Sequence, residues 1–260
     1  MTRRRAPAFP ELVLAAAGQW DRLVAALDAV EDAAFAEPTR LGWTLAQLCA
    51  HIVRTVDAVS GALAVASPPP RPARTALDFF AAAREHSQAV DDHARAAAAG
   101  QSPAQLRAAL RTAVERARAE LAGRDGHAVV VAVFGPIRLA DWVETRCLEG
   151  VVHGLDLPGD ARVQPHPDAL RVVVRLMTDV LAARAPGRSV EVRVPPYAVV
   201  SCGVGDGPRH TRGTPPNVIE VPAVAFVELA AGRLDWAGAA RAGATASGAR
   251  ADLSRYLPLL

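Results

Sequence analysis

Arg146-Cys-Leu-Glu149-Gly-Val-Val-His153-Gly-Leu-Asp156 is the stretch on which the reading of this chain turns. Glu149 and His153 stand four residues apart inside a run with helical apolar spacing: Leu139, Val143, Leu148, Val151, Val152 and Leu155. On a helix, residues at i and i+4 lie one above the other on the same face. Trp142, Arg146, Glu149, His153 and Asp156 then form one stripe, within about a fifth of a turn at 3.6 residues per turn. An aromatic, a cation, two carboxylates and an imidazole suit neither a core nor an ordinary solvent face. They suit a metal-ligand pair with the groups that orient it. The same spacing also occurs as a plain surface contact between carboxylate and imidazole. Two features favour a site. Gly150 in mid-helix costs about 1 kcal/mol, which points to close approach of a second helix. Arg146, one turn before Glu149, is placed to hold its carboxylate.

A third ligand is available on another helix. Thr44 reads as an N-cap with Gln47 at the third helical position, a capping box, and Trp43 and Leu48 are spaced for a hydrophobic staple. The helix continues through His51, Ile52, Thr55 and Val59 to Ser67-Pro-Pro-Pro-Arg-Pro, where prolines remove donors and fix φ. A lone histidine on an apolar face is more often a satisfied core residue. Two facing helices that both present imidazoles inward shift His51 towards a site. Cys49 and Cys147 each lie two residues from a candidate ligand, about 200° round the helix, and read as small core residues. His86 and His93 are a competing pair on a polar face, while His127, His166 and His210 fall in turns or linkers.

Further out, a first helix is expected over 9–34 and one or two helices over 73–121, broken near Gly100-Gln-Ser-Pro103, with Ser102 as cap and Pro103 in the first position. A turn at Gly123-Arg-Asp-Gly126 and a β-branched run at 128–133 precede the fourth long helix, which starts at Arg138 or Leu139 and ends at Asp156. Residues 1–158 read as a four-helix bundle. After a linker at 159–167, residues 167–260 read as a small α+β domain. Its helix covers 168–183, its strands 189–194, 198–202 and 217–221, with a Gly/Pro-rich loop at 203–216; a helix from Pro222 to about Ala231 and one or two short helices complete the tail. The fold class is α+β.

Composition bounds the function. A net charge of +2 over 260 residues removes the electrostatic case for nucleic-acid binding, and no apolar run is long enough for a bilayer. Met-Thr-Arg-Arg-Arg-Ala-Pro at the start reads as a short disordered arm rather than a signal peptide. Three cysteines without CxxC spacing suit a reducing cytoplasm. All 29 basic residues are arginine, so neither a lysine Schiff base nor a P-loop lysine is available.

Gly-Trp43-Thr-Leu-Ala-Gln-Leu-Cys-Ala-His51 and Arg146-x2-Glu149-x3-His153-Gly-x-Asp156-Leu together resemble the mycothiol-dependent maleylpyruvate isomerase family. Phe226-x2-Leu-Ala-Ala-Gly232-Arg233-Leu-x-Trp236 and Ser247-Gly-x-Arg-Ala-Asp252-Leu-x2-Tyr-Leu257-Pro258 resemble its C-terminal domain. The resemblance implies a DinB-like metal-binding bundle followed by a sterol-carrier-like domain. It also implies a divalent metal, zinc by expectation, on His51, Glu149 and His153, with mycothiol as thiol cofactor or cosubstrate. Two imidazoles and a carboxylate suit iron or nickel as well. Three protein ligands leave one tetrahedral position open, where a thiol would be deprotonated and attack a small-molecule electrophile. Cis–trans isomerisation of a maleyl-type substrate and S-transfer are both compatible with that. Arg233 is the candidate carboxylate clamp for thiol or substrate, and Trp142 a candidate contact for the cofactor; a surface arginine after a C-cap glycine is the plainer reading of Arg233. The expected partners are a low-molecular-weight thiol and an electrophile, with no nucleic acid and no membrane, in a monomer or homodimer. The alternative is a non-catalytic binding protein with a structural metal and a hydrophobic small molecule in its second domain.

Overall fold

The computed structural model describes residues 7–204 and 215–260. The N-terminal arm and most of the 203–216 loop, with His210, lie outside them. The chain divides into two compact units, Met1–Ala169 and Leu170–Leu260.

The first unit runs α1 (Phe9–Asp28), α2 (Leu45–Leu63), α3 (Ala76–Glu85), α4 (Ser87–Ala98), α5 (Pro103–Leu121), β1 (Val129–Ala132), β2 (Gly135–Arg138) and α6 (Leu139–Asp156). Helices α1 and α2 each pack against both α5 and α6, which closes a four-helix bundle; α4 lies on α2 and α3 on α6. Leu12, Trp20, Leu23 and Leu27 from α1 meet a core completed by Leu48 and Ile52 of α2, Leu106 and Leu110 of α5 and Trp142 of α6, all buried.

Local chemistry sets the helix starts. Thr44 Oγ1 accepts from the Gln47 backbone N–H at 3.3 Å while Gln47 Oε1 accepts from the Thr44 N–H at 2.9 Å. Ser102 and Gln105 repeat the exchange at α5, with Pro103 in the first turn.

The first helix stops at Asp28, short of the expected 34. Arg107 of α5 donates to the carbonyls of Leu27 and Val30, and its guanidinium lies 4.6 Å from the Phe35 ring. A long-range arginine thus satisfies carbonyls left over at the helix end, and Phe35 is buried in the 3₁₀ turn Asp32–Ala36 that follows. The segment 73–121 holds three helices instead of one or two. An extra break falls at His86, whose backbone leaves the helical region (φ −109°, ψ 20°) with neither glycine nor proline to mark it. Strand β2, also unforeseen, exists through its antiparallel pairing with β1, from Val129↔Arg138 to Ala132↔Gly135.

The close approach expected at Gly150 is present. A Cβ there would lie 3.2 Å from Gln19 Cγ, and one on Gly154 would lie 3.1 Å from Gln19 Nε2. Gln19 is fully buried; it donates to the Gly150 carbonyl at 3.0 Å and accepts from the His166 N–H at 2.8 Å.

The boundary between the units falls within α7 (Pro167–Arg184). The second unit continues with β3 (Val190–Val194), β4 (Ala198–Cys202), β5 (Val218–Glu220), α8 (Ala223–Ala230), α9 (Trp236–Arg241) and β6 (Thr245–Ser247). Its sheet has the order β4-β3-β5-β6, with β3 and β5 parallel and the outer pairs antiparallel. Val190, Val192 and Val194 alternate into the core. The strand β6, three exposed residues in the tail, has no apolar alternation to announce it. Among the described residues no helix is long and apolar enough to cross a membrane.

Replacing Gln19 by Leu keeps the volume and removes both of its hydrogen bonds. The expected cost is about 1–3 kcal/mol, since the half-buried His166 N–H loses its partner, and urea denaturation monitored by tryptophan fluorescence measures it.

Candidate metal centre

Along α6 the predicted stripe is a chain of successive contacts. The Arg146 guanidinium sits 4.0 Å from the Trp142 ring; Arg146 Nη2 is 3.8 Å from Glu149 Oε1; Glu149 Oε2 is 3.1 Å from His153 Nε2; and His153 Nδ1 is 3.1 Å from Asp156 Oδ2. From α2, His51 brings its Nε2 to 3.5 Å from the same Glu149 oxygen. One ligand atom from each of His51, Glu149 and His153 therefore falls within 4.8 Å of the other two.

These separations fit a metal ion. With metal–ligand bonds of about 2.0–2.1 Å in tetrahedral array, ligand atoms stand about 3.3–3.4 Å apart. The two distances to Glu149 bracket that edge. His51 supports the fit from another direction. Its Nδ1 is buried with no hydrogen-bond partner among the described residues, and its Nε2 meets only a long contact, so packing rather than hydrogen bonding holds the ring. Trp43 supplies that packing, 5.2 Å from the His51 ring and 6.5 Å from that of His153.

The charges around the three residues are graded. Burial pushes the His51 pKa down to about 4, against the pull of Glu149, so the ring is neutral and its lone pair free. Burial also works against a charge on His153, but hydrogen bonds to Asp156 and Glu149 outweigh it and raise the pKa to about 9. Burial would protonate Glu149; contacts with His153, His51 and Arg146 instead hold it well below the usual carboxylate range. A proton on His153 Nε2 thus occupies the place a cation would take.

The outer residues fix the inner ones. Asp156 accepts from His153 Nδ1 and so turns Nε2 towards Glu149. Asp156 is itself held by Arg40, whose Nε lies 3.2 Å from Oδ1 and whose Nη2 donates to the Leu155 carbonyl. Arg146, buried, is wedged between the rings of Trp142 and Phe79 and donates to Thr145 Oγ1 and, at 3.5 Å, to the Thr55 carbonyl. Trp142, the candidate contact for the cofactor, is fully buried with that guanidinium against its ring.

Arg40 and Trp43 are site residues that sequence reasoning missed. Trp43 figured in the staple and in the family motif but not as a site residue, and Arg40 sits in a turn with no pattern to single it out. Cys49 and Cys147 are buried and belong to no metal-sized cluster, as their helix phase implies. Among the described residues, His86 and His93 join no metal-sized cluster; the His86 ring bonds the Ala82 carbonyl of α3 and the His93 ring the Ala89 carbonyl of α4. Arg233 belongs to the second unit. It follows Gly232 at φ 71°, the expected C-cap glycine, and donates to the Ala231 carbonyl at 2.9 Å. It lines an open cavity of about 870 Å³ with Leu234, Trp236 and Arg241.

Residues 16–158 match the family described as "Mycothiol maleylpyruvate isomerase N-terminal domain". Residues 166–259 match "Bacterial SCP ortholog". Among solved structures, the mycothiol-dependent maleylpyruvate isomerase and its histidine-to-alanine mutant are similar to this chain. Each has a TM-score of 0.63 and 16% identity, with 95% of both chains covered, a likeness of fold. No curated protein matches.

The grading of charge dictates a pH dependence. His153 holds its proton up to about pH 9, whereas His51 has none to lose above its value of about 4. Loading a divalent cation should displace close to one proton between about pH 5 and 9, and apparent affinity should rise by about tenfold per pH unit across that range. Calorimetry in buffers of different ionisation enthalpy counts the proton. Asp156→Asn should shift the release to lower pH and weaken zinc binding by about 10–100-fold.

Proposed function

The chain belongs to the mycothiol maleylpyruvate isomerase family, and from that premise we propose that it is a mycothiol-dependent metalloenzyme acting on an electrophilic small molecule. The observation that carries this reading is the convergence of His51, Glu149 and His153 on one point, with the orienting groups Arg146 and Asp156 already in place. These three are the proposed ligands and zinc the proposed ion. With three protein ligands the ion supplies an open position at which a thiol is held as thiolate, the form that adds reversibly to an activated double bond or displaces a leaving group.

The chain's own groups are consistent with an imported nucleophile. It has no lysine. Its three cysteines are buried, and burial pushes the thiols up, Cys49 to about 12, Cys202 to about 11 and Cys147 further still. None can supply a thiolate near neutral pH. Glu149 contributes its negative charge to the cation, and Arg146 keeps that carboxylate from turning away. The His153–Asp156 contact fixes the tautomer with the proton on Nδ1 and the lone pair on Nε2. Trp43 covers the imidazoles and shields them from water. Arg233 is proposed as the clamp on a carboxylate of thiol or substrate, a task for which the bidentate guanidinium fork is suited. Isomerisation of maleylpyruvate is the reaction favoured by the family; S-transfer to other electrophiles uses the same groups.

Purified protein should carry about one zinc per chain, and His153→Ala should lose it by elemental analysis; equal occupancy in the two proteins removes the ligand assignment. Maleylpyruvate turnover should require mycothiol, and full activity without any thiol would end the proposal. Arg233→Lys should retain zinc yet lose about tenfold or more in kcat/KM, because a point charge does not reproduce the fork.

A further inference from the structure

Arg54 stands one turn beyond His51 on α2, and its charge has no counterpart in the centre. The other two guanidiniums there are matched: Arg40 with Asp156 at 3.2 Å and Arg146 with Glu149 at 3.8 Å. Arg54 forms no ion pair or hydrogen bond with the described residues, and its Nε is buried without a partner. Arg146 reaches the same stretch of α2, donating to the Thr55 carbonyl, and its Nη2 is likewise buried with no hydrogen bond. Two guanidiniums thus border the same stretch of α2, Arg54 with a buried Nε that no described residue bonds and Arg146 with an Nη2 that meets Glu149 only at 3.8 Å.

Like charges brought together out of water repel, and a buried donor without an acceptor costs about 1–3 kcal/mol. The electrostatics register the crowding: burial first and then Arg54 push the Arg146 pKa down, to about 10, and Arg54 also disfavours a charge on His51. An anion that takes up the idle N–H groups relieves both costs, and a carboxylate matches the guanidinium fork. The charge balance sets its class. With Arg54 and a protonated His153 the centre has two positive charges in excess; a divalent cation that displaces the His153 proton makes it three, and a thiolate beside it two. A dianion is the ligand that restores neutrality.

We propose that Arg54 is a substrate-binding residue, which takes one carboxylate of a small dianionic electrophile on the His51 side of the centre. This rests on the reading given under Proposed function and adds the charge class of the substrate and the residue that selects it. It makes Arg54 a determinant of affinity and not of metal binding.

The test pairs a binding measurement with two electrophiles. Calorimetry of maleate against the zinc-loaded protein, without thiol, should show binding that Arg54→Gln weakens by about 10–100-fold, the range for a charge-assisted hydrogen bond. With mycothiol present, the same variant should raise KM for maleylpyruvate by a similar factor while kcat moves by less than about threefold. Turnover of the uncharged monobromobimane and the zinc content should stay at wild-type values. Arg54→Lys, which keeps the charge, should fall between the two proteins. Undetectable maleate binding to wild type, maleate affinity indifferent to Arg54→Gln, or equal losses with charged and uncharged electrophiles would each overturn the assignment. A wild-type protein that binds maleate but turns over neither electrophile would sink the enzymatic reading and leave the anion site standing.

Discussion

A carboxylate kept ionised inside a helical bundle is the constraint on which the first unit is organised. Glu149 faces His51, His153 and Arg146, and each of those side chains is in turn held by something further out. Removing one member of such a set exposes the others to an unbalanced charge out of water, which costs about 3–5 kcal/mol where buried pairs are broken. The aromatic walls follow from this need. Trp142 and Phe79 enclose Arg146, and Trp43 lies against the imidazoles, so aromatic rings flank the polar groups on more than one side.

Much of this was legible in the chain because it is written at helical spacing. The Glu149–His153 pair, the Arg146 contact one turn earlier and the backward face of Cys147 all follow from 3.6 residues per turn. The Thr44 and Ser102 starts are equally local, since a capping box closes within four residues. Gly150 is an intermediate case: its cost in a helix announced a close neighbour, and the neighbour, Gln19, had no signature of its own.

What stayed hidden depends on groups distant in sequence. Arg107 ends α1 from 80 residues away, Arg40 reaches Asp156 across the bundle, and β2 and β6 are strands only because a partner strand offers its backbone. In an arginine-rich chain any of many guanidiniums could have played these parts, so residue type alone selects none of them. The break at His86 is invisible for the opposite reason: an alanine-rich run propagates helix equally well on either side, and tertiary packing decides where it bends.

The turn that joins α1 to α2 has one more consequence. Thr39 accepts from the Leu41 N–H and donates both its hydroxyl and its backbone N–H to the Trp43 carbonyl, and Pro38 bridges to Thr44, so the segment is a closed loop of set length. Arg40 leaves it on one side to hold Asp156, and Trp43 leaves it on the other to cover the two imidazoles. Composition there is free to drift more than residue count: a single insertion would swing both side chains off their targets at once. In this fold the metal centre depends on the length of a turn that contributes no ligand.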